Sequence, residues 1–220
     1  MLNIPFENLD IIYGNSIVLK PERMYDKIVK RGRGGFCYEL NGLFSRLLKE
    51  LGYNVSLVSA RVINEDGIFG QEFDHLGIIV HLGDKKYLVD VGFGDSTRKP
   101  IEFPDAMSED VSGKYRLVRD NLETYFLERW IDKYWTCRYK FSLKPRELKD
   151  FSGMCRFFQT SEESHFNKSP FISLATKTGR ITLTDKELII TDGIKKSNSK
   201  VNSKEEFEGL LGKYFGIYDI

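Results

Sequence analysis

Apolar and polar positions along this chain follow two periods. Leu40, Leu43, Phe44, Leu47, Leu48 and Leu51 recur at steps of three and four, which predicts a one-sided helix stopped by Gly52, with Cys37 at its first turn. Val55–Ile63 predicts a strand, with Asn64-Glu-Asp-Gly67 as a turn after it. The run His75-Leu-Gly-Ile-Ile-Val-His-Leu82 is apolar and β-branched. After the polar Gly83-Asp84-Lys85-Lys86 comes Tyr87-Leu-Val-Asp90-Val-Gly-Phe-Gly94, so these two runs predict an antiparallel hairpin. Tyr115–Val118, Thr124–Arg129 and Tyr134–Phe141 extend an antiparallel middle region, and Arg180–Leu183 with Glu187–Thr191 form a later hairpin. Pro21–Lys30 predicts a helix within an otherwise irregular entry. Ser203-Lys-Glu-Glu206 ahead of Phe207, Leu210 and Leu211 is a capping-box start to a terminal helix. Lys195–Lys200 is polar and basic and reads as a solvated turn. Helices, then barrel-like strands, then a mixed C-terminal part make an α+β order.

Chemistry concentrates at Arg31-Gly-Arg-Gly-Gly-Phe-Cys37. Glycines before the cysteine permit a close backbone approach, the helix dipole is positive at Cys37, and Arg31 and Arg33 add charge. All of this favours the thiolate and makes Cys37 a candidate nucleophile. A nucleophilic thiol needs a base, and the chain holds three histidines, His75, His81 and His165. Asp90, flanked by Val89 and Val91, is costly to bury unless paired, and histidine is its natural partner. Cys37, a histidine and Asp90 then have the roles of nucleophile, base and orienter. Spacing does not select the histidine. A simple turn near Asp84-Lys85 sets Asp90 opposite Ile79, four residues or roughly 13 Å from His75 at normal strand rise. His81 has the same strand parity. Arg33 could hold a substrate carboxylate or pair structurally with Glu39, six residues on, and the structural pairing is the stronger reading.

Charge and composition narrow the function classes. With 33 basic and 32 acidic residues, net +1, no bulk attraction for nucleic acid is implied. No apolar run approaches about 18 residues and no basic-apolar leader opens the chain, so neither a membrane span nor export is expected. Three widely spaced cysteines without a C-x-x-C pair fit a reducing cytoplasm and predict no metal site.

Ile4-Pro-Phe-Glu-Asn-Leu-Asp10, Arg33-Gly-Gly-Phe-Cys37 with Glu39 and Asn41, Ser59-Ala-Arg-Val62, Phe73-Asp-His75-Leu, Val89-Asp90-Val-Gly-Phe-Gly94, Gln159-Thr-Ser and Gly179-Arg-Ile-Thr-Leu183 occur in this order. Together they span most of the chain and resemble the arylamine N-acetyltransferases. The resemblance implies a papain/transglutaminase-like cysteine core in three parts: a helical part (1–60) with the cysteine, an antiparallel β-barrel part (61–145) with His and Asp, and a mixed α/β C-terminal lid (146–220). It implies Cys37 as the acyl-accepting nucleophile, His75 as base, Asp90 as orienter, and His81 and His165 outside the chemistry. Phe6, Phe93 and Val62 would line the acceptor pocket, and Asp74, Gly92 and Phe93 would lie near coenzyme A. Acetyl-CoA would be the acyl donor and an arylamine or hydrazine the acceptor, in a ping-pong cycle. Two other readings remain at this stage: a papain- or transglutaminase-like thiol hydrolase, and a catalytically silent remnant. Family members carry helices ahead of the Ile4–Asp10 block, which here starts three residues after Met1. Exposed apolar surface would follow, favouring a homo-oligomer.

Overall fold

A computed structural model describes residues 1–104 and 106–218. In chain order its elements are β1 (Phe6–Glu7), α1 (Leu9–Ile12), α2 (Pro21–Tyr25, continued by a π turn over Asp26–Lys30), α3 (Cys37–Glu50), β2 (Asn54–Val62), β3 (His75–Leu82), β4 (Lys85–Val89), β5 (Ile101–Glu102), β6 (Met107–Asp110), β7 (Gly113–Arg119), β8 (Thr124–Ile131), β9 (Tyr134–Ser142), α4 (Ser152–Thr160), β10 (Phe171–Ala175), β11 (Gly179–Thr184), β12 (Glu187–Asp192), β13 (Lys195–Lys200) and α5 (Lys204–Phe215). Two compact units result, one of Met1–Leu40 with Gly153–Ile220 and one of Asn41–Ser152. Among the described residues no helix is long and apolar enough to cross a membrane.

The second unit is an eight-stranded antiparallel sheet in the order β5-β4-β3-β2-β9-β8-β7-β6. Its end strands β5 and β6 meet, so the sheet curls almost into a barrel, leaving little exposed edge. Alternating side chains of its strands, among them Val58, Ala60, Ile79, Leu88, Leu127, Tyr139 and Phe141, fill its interior. The β3–β4 hairpin turns in two residues, Gly83 and Asp84, because Leu82 pairs with Lys85 and Gly83 takes φ +59°. That is shorter than the four-residue polar turn the sequence suggested, and the register it sets matters for the site below.

The first unit carries a five-stranded antiparallel sheet, β1-β10-β11-β12-β13. Ile172, Leu183 and Leu188 of this sheet pack with Phe207, Leu211 and Phe215 of α5. Ser203 Oγ accepts the Glu206 N–H at the start of α5 (3.2 Å), and Glu206 returns a contact to the Asn202 N–H (2.8 Å), one residue before the expected reciprocal partner. Lys195–Lys200 is not a turn but the edge strand β13, joined to β12 through Gly193 and Ile194. All six of its side chains are exposed, so no apolar alternation could reveal it.

Candidate active site

His75 opens β3 and Asp90 follows the last residue of β4. Ile78 pairs with Val89, so extending the ladder would set Asp90 against Gly77. The tight turn thus halves the four-residue offset expected from the sequence. Asp90 closes the rest by leaving the strand, and its Oδ2 lies 2.7 Å from His75 Nε2. The same oxygen accepts the Tyr139 hydroxyl at 2.9 Å. Oδ1 accepts the Asn41 amide at 2.8 Å and the Gly92 N–H at 2.9 Å. Asn41 is itself pinned, donating to the Leu76 carbonyl and accepting from the Val91 N–H.

These contacts determine the state of the histidine. Burial pushes the Asp90 carboxyl up, but His75, Asn41 and Gly92 together hold it below its ordinary value. An ionised carboxylate only accepts, so His75 Nε2 carries a proton and Nδ1 is the nitrogen turned away from Asp90. That orientation leaves Nδ1 as the nitrogen that can exchange a proton with a nucleophile. The imidazole is buried, with Phe93 and Tyr139 as walls, each ring centroid 5.2 Å away. Burial and the neighbouring Asp90 keep the Tyr139 phenol well above its ordinary value, so it remains a donor. His81 makes no such contact; its Nε2 bonds Ser56 Oγ at 3.0 Å, across the β2–β3 ladder.

Cys37 is the first residue of α3 and is buried; none of the three cysteines forms a disulfide. The glycines ahead of it are required by close approach. A Cβ on Gly34 would fall 2.1 Å from the Pro5 carbonyl oxygen, and one on Gly35 would fall 2.7 Å from Glu39 Oε2. The charge expected from Arg31 and Arg33 is taken up by carboxylates. Buried Arg33 reaches Glu7 Oε1 (2.9 Å) and Asp10 Oδ1 (3.1 Å), while Arg31 lies at the surface near Asp26. Nor does Arg33 pair with Glu39. The first turn of α3 folds Glu39 back over the Phe36 N–H (3.2 Å), and its partner is Lys27 of the π turn (2.9 Å). Lys27 also reaches Asp10 (2.8 Å) and Glu7 (3.7 Å). The dipole of α3 favours a thiolate at Cys37.

Glu7, Asp10 and Glu39 outnumber Lys27 and Arg33 in this buried cluster, and Glu39 absorbs the imbalance. Burial pushes its carboxyl from its ordinary 4.5 up to about 7, against the opposing pull of Lys27. The folded protein therefore holds this proton more tightly than the unfolded chain. The stabilisation that results is full below about pH 4.5 and is lost as pH rises through about 7. Glu39→Gln is expected to flatten the melting temperature across that window. An undiminished decline in the variant would place the titration on another group.

The remaining sequence candidates are distributed as follows. Phe93 stands against His75, and Gly92 has its N–H on Asp90. Val62 ends β2 and donates its N–H to Asp74 Oδ2 at 3.0 Å, so the Asp74 carboxylate faces β2. Phe6 of β1 contacts the rings of Phe166 and Phe171, and its backbone bridges to Gly35. His165 lies in a 3-10 turn and packs on Phe158 and Phe166. Sequence reasoning assigned no role to Asn41, Tyr139 or Lys27. Asn41 stands one helical turn beyond Cys37, Tyr139 shares the inward alternation of β9 with Phe141, and Lys27 occupies the buried Met24–Ile28 stripe. A hydroxyl or an ammonium on a buried stripe is itself a signal, because each needs a partner there.

A family profile described as N-acetyltransferase matches residues 1–218. The pineal gland arylamine N-acetyltransferase isozyme NAT-3 of Gallus gallus is 34% identical, over 97% of this chain and 82% of its own. The crystal structure of the Bacillus cereus arylamine N-acetyltransferase (BACCR)NAT3, which has a Cys-His-Glu catalytic triad, matches with TM-score 0.91 and 30% identity, covering 98% of this chain and 86% of that one. The Mycobacterium marinum arylamine N-acetyltransferase in complex with CoA matches with TM-score 0.89 and 30% identity, over 98% and 82%.

Proposed function

The chain belongs to the arylamine N-acetyltransferase family, and from that premise we propose that it transfers the acetyl group of acetyl-CoA to arylamines or arylhydrazines through an acetyl-cysteine at Cys37. The supporting observation is the buried His75–Asp90 pair, held by Asn41, a residue of the same helix that Cys37 opens. In α3 the two residues stand four apart and so share a face. In this reading His75 Nδ1 takes the Cys37 proton as sulfur attacks the thioester carbonyl. The tetrahedral intermediate expels the thiolate of coenzyme A, which receives that proton. The Cys37 N–H, at the helix start, is the local oxyanion donor. An amine then attacks the acetyl-cysteine and loses a proton to His75; the tetrahedral intermediate breaks its C–S bond, releasing the amide and the Cys37 thiolate, which recovers that proton. Aromatic walls at His75 suit a site that must keep water from the acyl-enzyme. Asp90 fills the third role, which in the Bacillus cereus relative falls to a glutamate. Phe6, Val62 and Phe93 are assigned to the acceptor pocket. Gly92, whose N–H is engaged, contributes its lack of a side chain to the thioester arm, and Asp74 lies beside that path. A cytoplasmic location fits the sparse, unpaired cysteine content.

Intact-mass analysis after mixing with acetyl-CoA tests the reading. One acetyl adduct is expected on the wild type, absent in Cys37→Ala and discharged by an aromatic amine as its amide. An adduct that decays in water at the same rate with or without amine would indicate a hydrolase. No adduct at all would leave the fold without the family's chemistry.

A further inference from the structure

Among the described residues one cation stacked on Phe93, Arg138, has no carboxylate partner. Leu127 pairs with Tyr139 and Glu128 with Cys137, so Arg138 is the extra residue of a bulge between β8 and β9. Successive strand residues normally face opposite sides. Here both Arg138 and Tyr139 reach Phe93: the Arg138 guanidinium carbon is 5.6 Å from the ring centroid, and the Tyr139 ring 5.2 Å. Bulges re-aim side chains in this way beside active sites.

Other arginines of the same sheet have partners, Arg61 and Arg119 by donating to backbone carbonyls. Arg116 pairs with Glu128 and Arg129 with Asp95, while Arg146, just beyond β9, pairs with Glu72. Among the described residues Arg138 has no carboxylate partner, and its buried Nε has no hydrogen-bond acceptor. A buried N–H without an acceptor is unfavourable in a finished fold and is relieved if a ligand supplies one. A carboxylate could accept from Nε and a terminal nitrogen together, the fork geometry for which arginine is suited. Phe93 links this cation to the base: the Arg138 guanidinium carbon lies 5.6 Å and the His75 ring 5.2 Å from its ring centroid, so guanidinium and imidazole are at most about 11 Å apart. A benzene ring with para substituents is no longer than that limit.

We propose that Arg138 is a specificity-determining residue that binds a carboxylate on the small substrate, laid along Phe93 with its reacting end towards His75. The inference rests on the acetyltransferase reading for the reaction, but the binding it describes does not. The carboxylate could be carried by the acceptor's ring or by the acyl group of the donor thioester.

Steady-state acetylation of para-aminobenzoate and of its neutral methyl ester separates these roles in wild type, Arg138→Lys and Arg138→Met. For the carboxylate, kcat/KM is expected to fall roughly ten- to hundredfold in Arg138→Met, mainly through KM, while the ester is unaffected. Arg138→Lys keeps the charge without the fork and should fall between. Acylation of Cys37 by succinyl-CoA against acetyl-CoA reads the donor arm: loss of succinyl transfer alone would place the carboxylate on the acyl group. Equal losses for carboxylate and ester, or no loss in either arm, would overturn the proposal. If wild type acetylates neither acceptor, the acetyltransferase reading fails on its own. Calorimetry then decides the matter for Arg138: para-aminobenzoate must bind wild type more tightly than its ester does, and lose that margin in Arg138→Lys and Arg138→Met.

Discussion

Asp90→Asn is expected to lower kcat/KM for acetyl transfer by about three to four orders of magnitude while leaving a folded protein. The carboxylate accepts from four donors, two on each oxygen. An amide offers one acceptor oxygen and one donor nitrogen, so one pair of donors must lose its acceptor. The two sides differ in their freedom to adapt. Gly92 presents a backbone N–H that cannot reverse, and Asn41 is pinned by the Leu76 carbonyl and the Val91 N–H. His75 can change tautomer and Tyr139 can rotate its hydroxyl. The amide nitrogen therefore turns towards His75, whose Nε2 becomes an acceptor and whose proton moves to Nδ1. The fold survives and the base is lost. Steady-state acetylation, the rate of Cys37 alkylation by iodoacetamide against pH, and thermal melts together check this. Tyr139→Phe is the comparison, since it removes one donor but keeps the carboxylate and the tautomer; it should cost less than about tenfold in rate, with a stability loss of roughly 1.5–3 kcal/mol for a buried bond to a charged group. Activity of Asp90→Asn within about tenfold of wild type, with an unchanged alkylation rate, would remove Asp90 from the orienting role.

The features legible in the sequence were those set by neighbours along the chain. α3 shows in its three-four periodicity and its terminal Gly52, β3 in an unbroken apolar run, and the start of α5 in the capping residues around Ser203. Asp90 declared its need of a partner because a carboxylate between valines cannot stay unpaired when buried. Which histidine answers it depended on a single turn, since shortening the hairpin loop moves the register by two residues. The donors to Asp90 come from β9 and from α3, 49 residues away on either side, and no local pattern ties them together. Arg138 was invisible for a related reason. Without the bulge, strand alternation would have assigned it to the face opposite Tyr139. Family resemblance pointed to His75, the histidine that lies against Asp90 in the fold, but it said nothing of Lys27, whose role follows from three carboxylates converging on one ammonium.

That convergence makes Lys27→Met the substitution with the largest expected effect on stability, about 3–5 kcal/mol, because it leaves buried charge uncompensated. Only 5% of the Lys27 side chain is exposed, and its Nζ lies 2.8 Å from Asp10 and 2.9 Å from Glu39. Burial pushes the ammonium towards neutrality, but Glu39, Glu7 and Asp10 outweigh it and raise its pKa above the ordinary value. Methionine fills much the same volume, so loss of packing is a small part of the effect. Without the lysine, three carboxylates face Arg33 alone. Their folded-state proton affinities rise, so stability that remains at acid pH is lost as pH climbs through the raised values. The deficit against wild type should therefore widen between about pH 5.5 and 8, which a packing defect would not do. Urea unfolding at both pH values reads it, with the m-value checking that the transition remains two-state. Adding Glu39→Gln removes one of the stranded charges and should recover part of the loss at the higher pH, a coupling of roughly 1–3 kcal/mol for groups in direct contact. A pH-independent deficit below about 1 kcal/mol would mean that the cluster carries little of the stability. The consequence for chemistry follows from position. Lys27 fastens Glu39, Glu39 holds the Phe36 N–H, and the next residue is Cys37, so loosening the cluster loosens the first turn that presents the thiol.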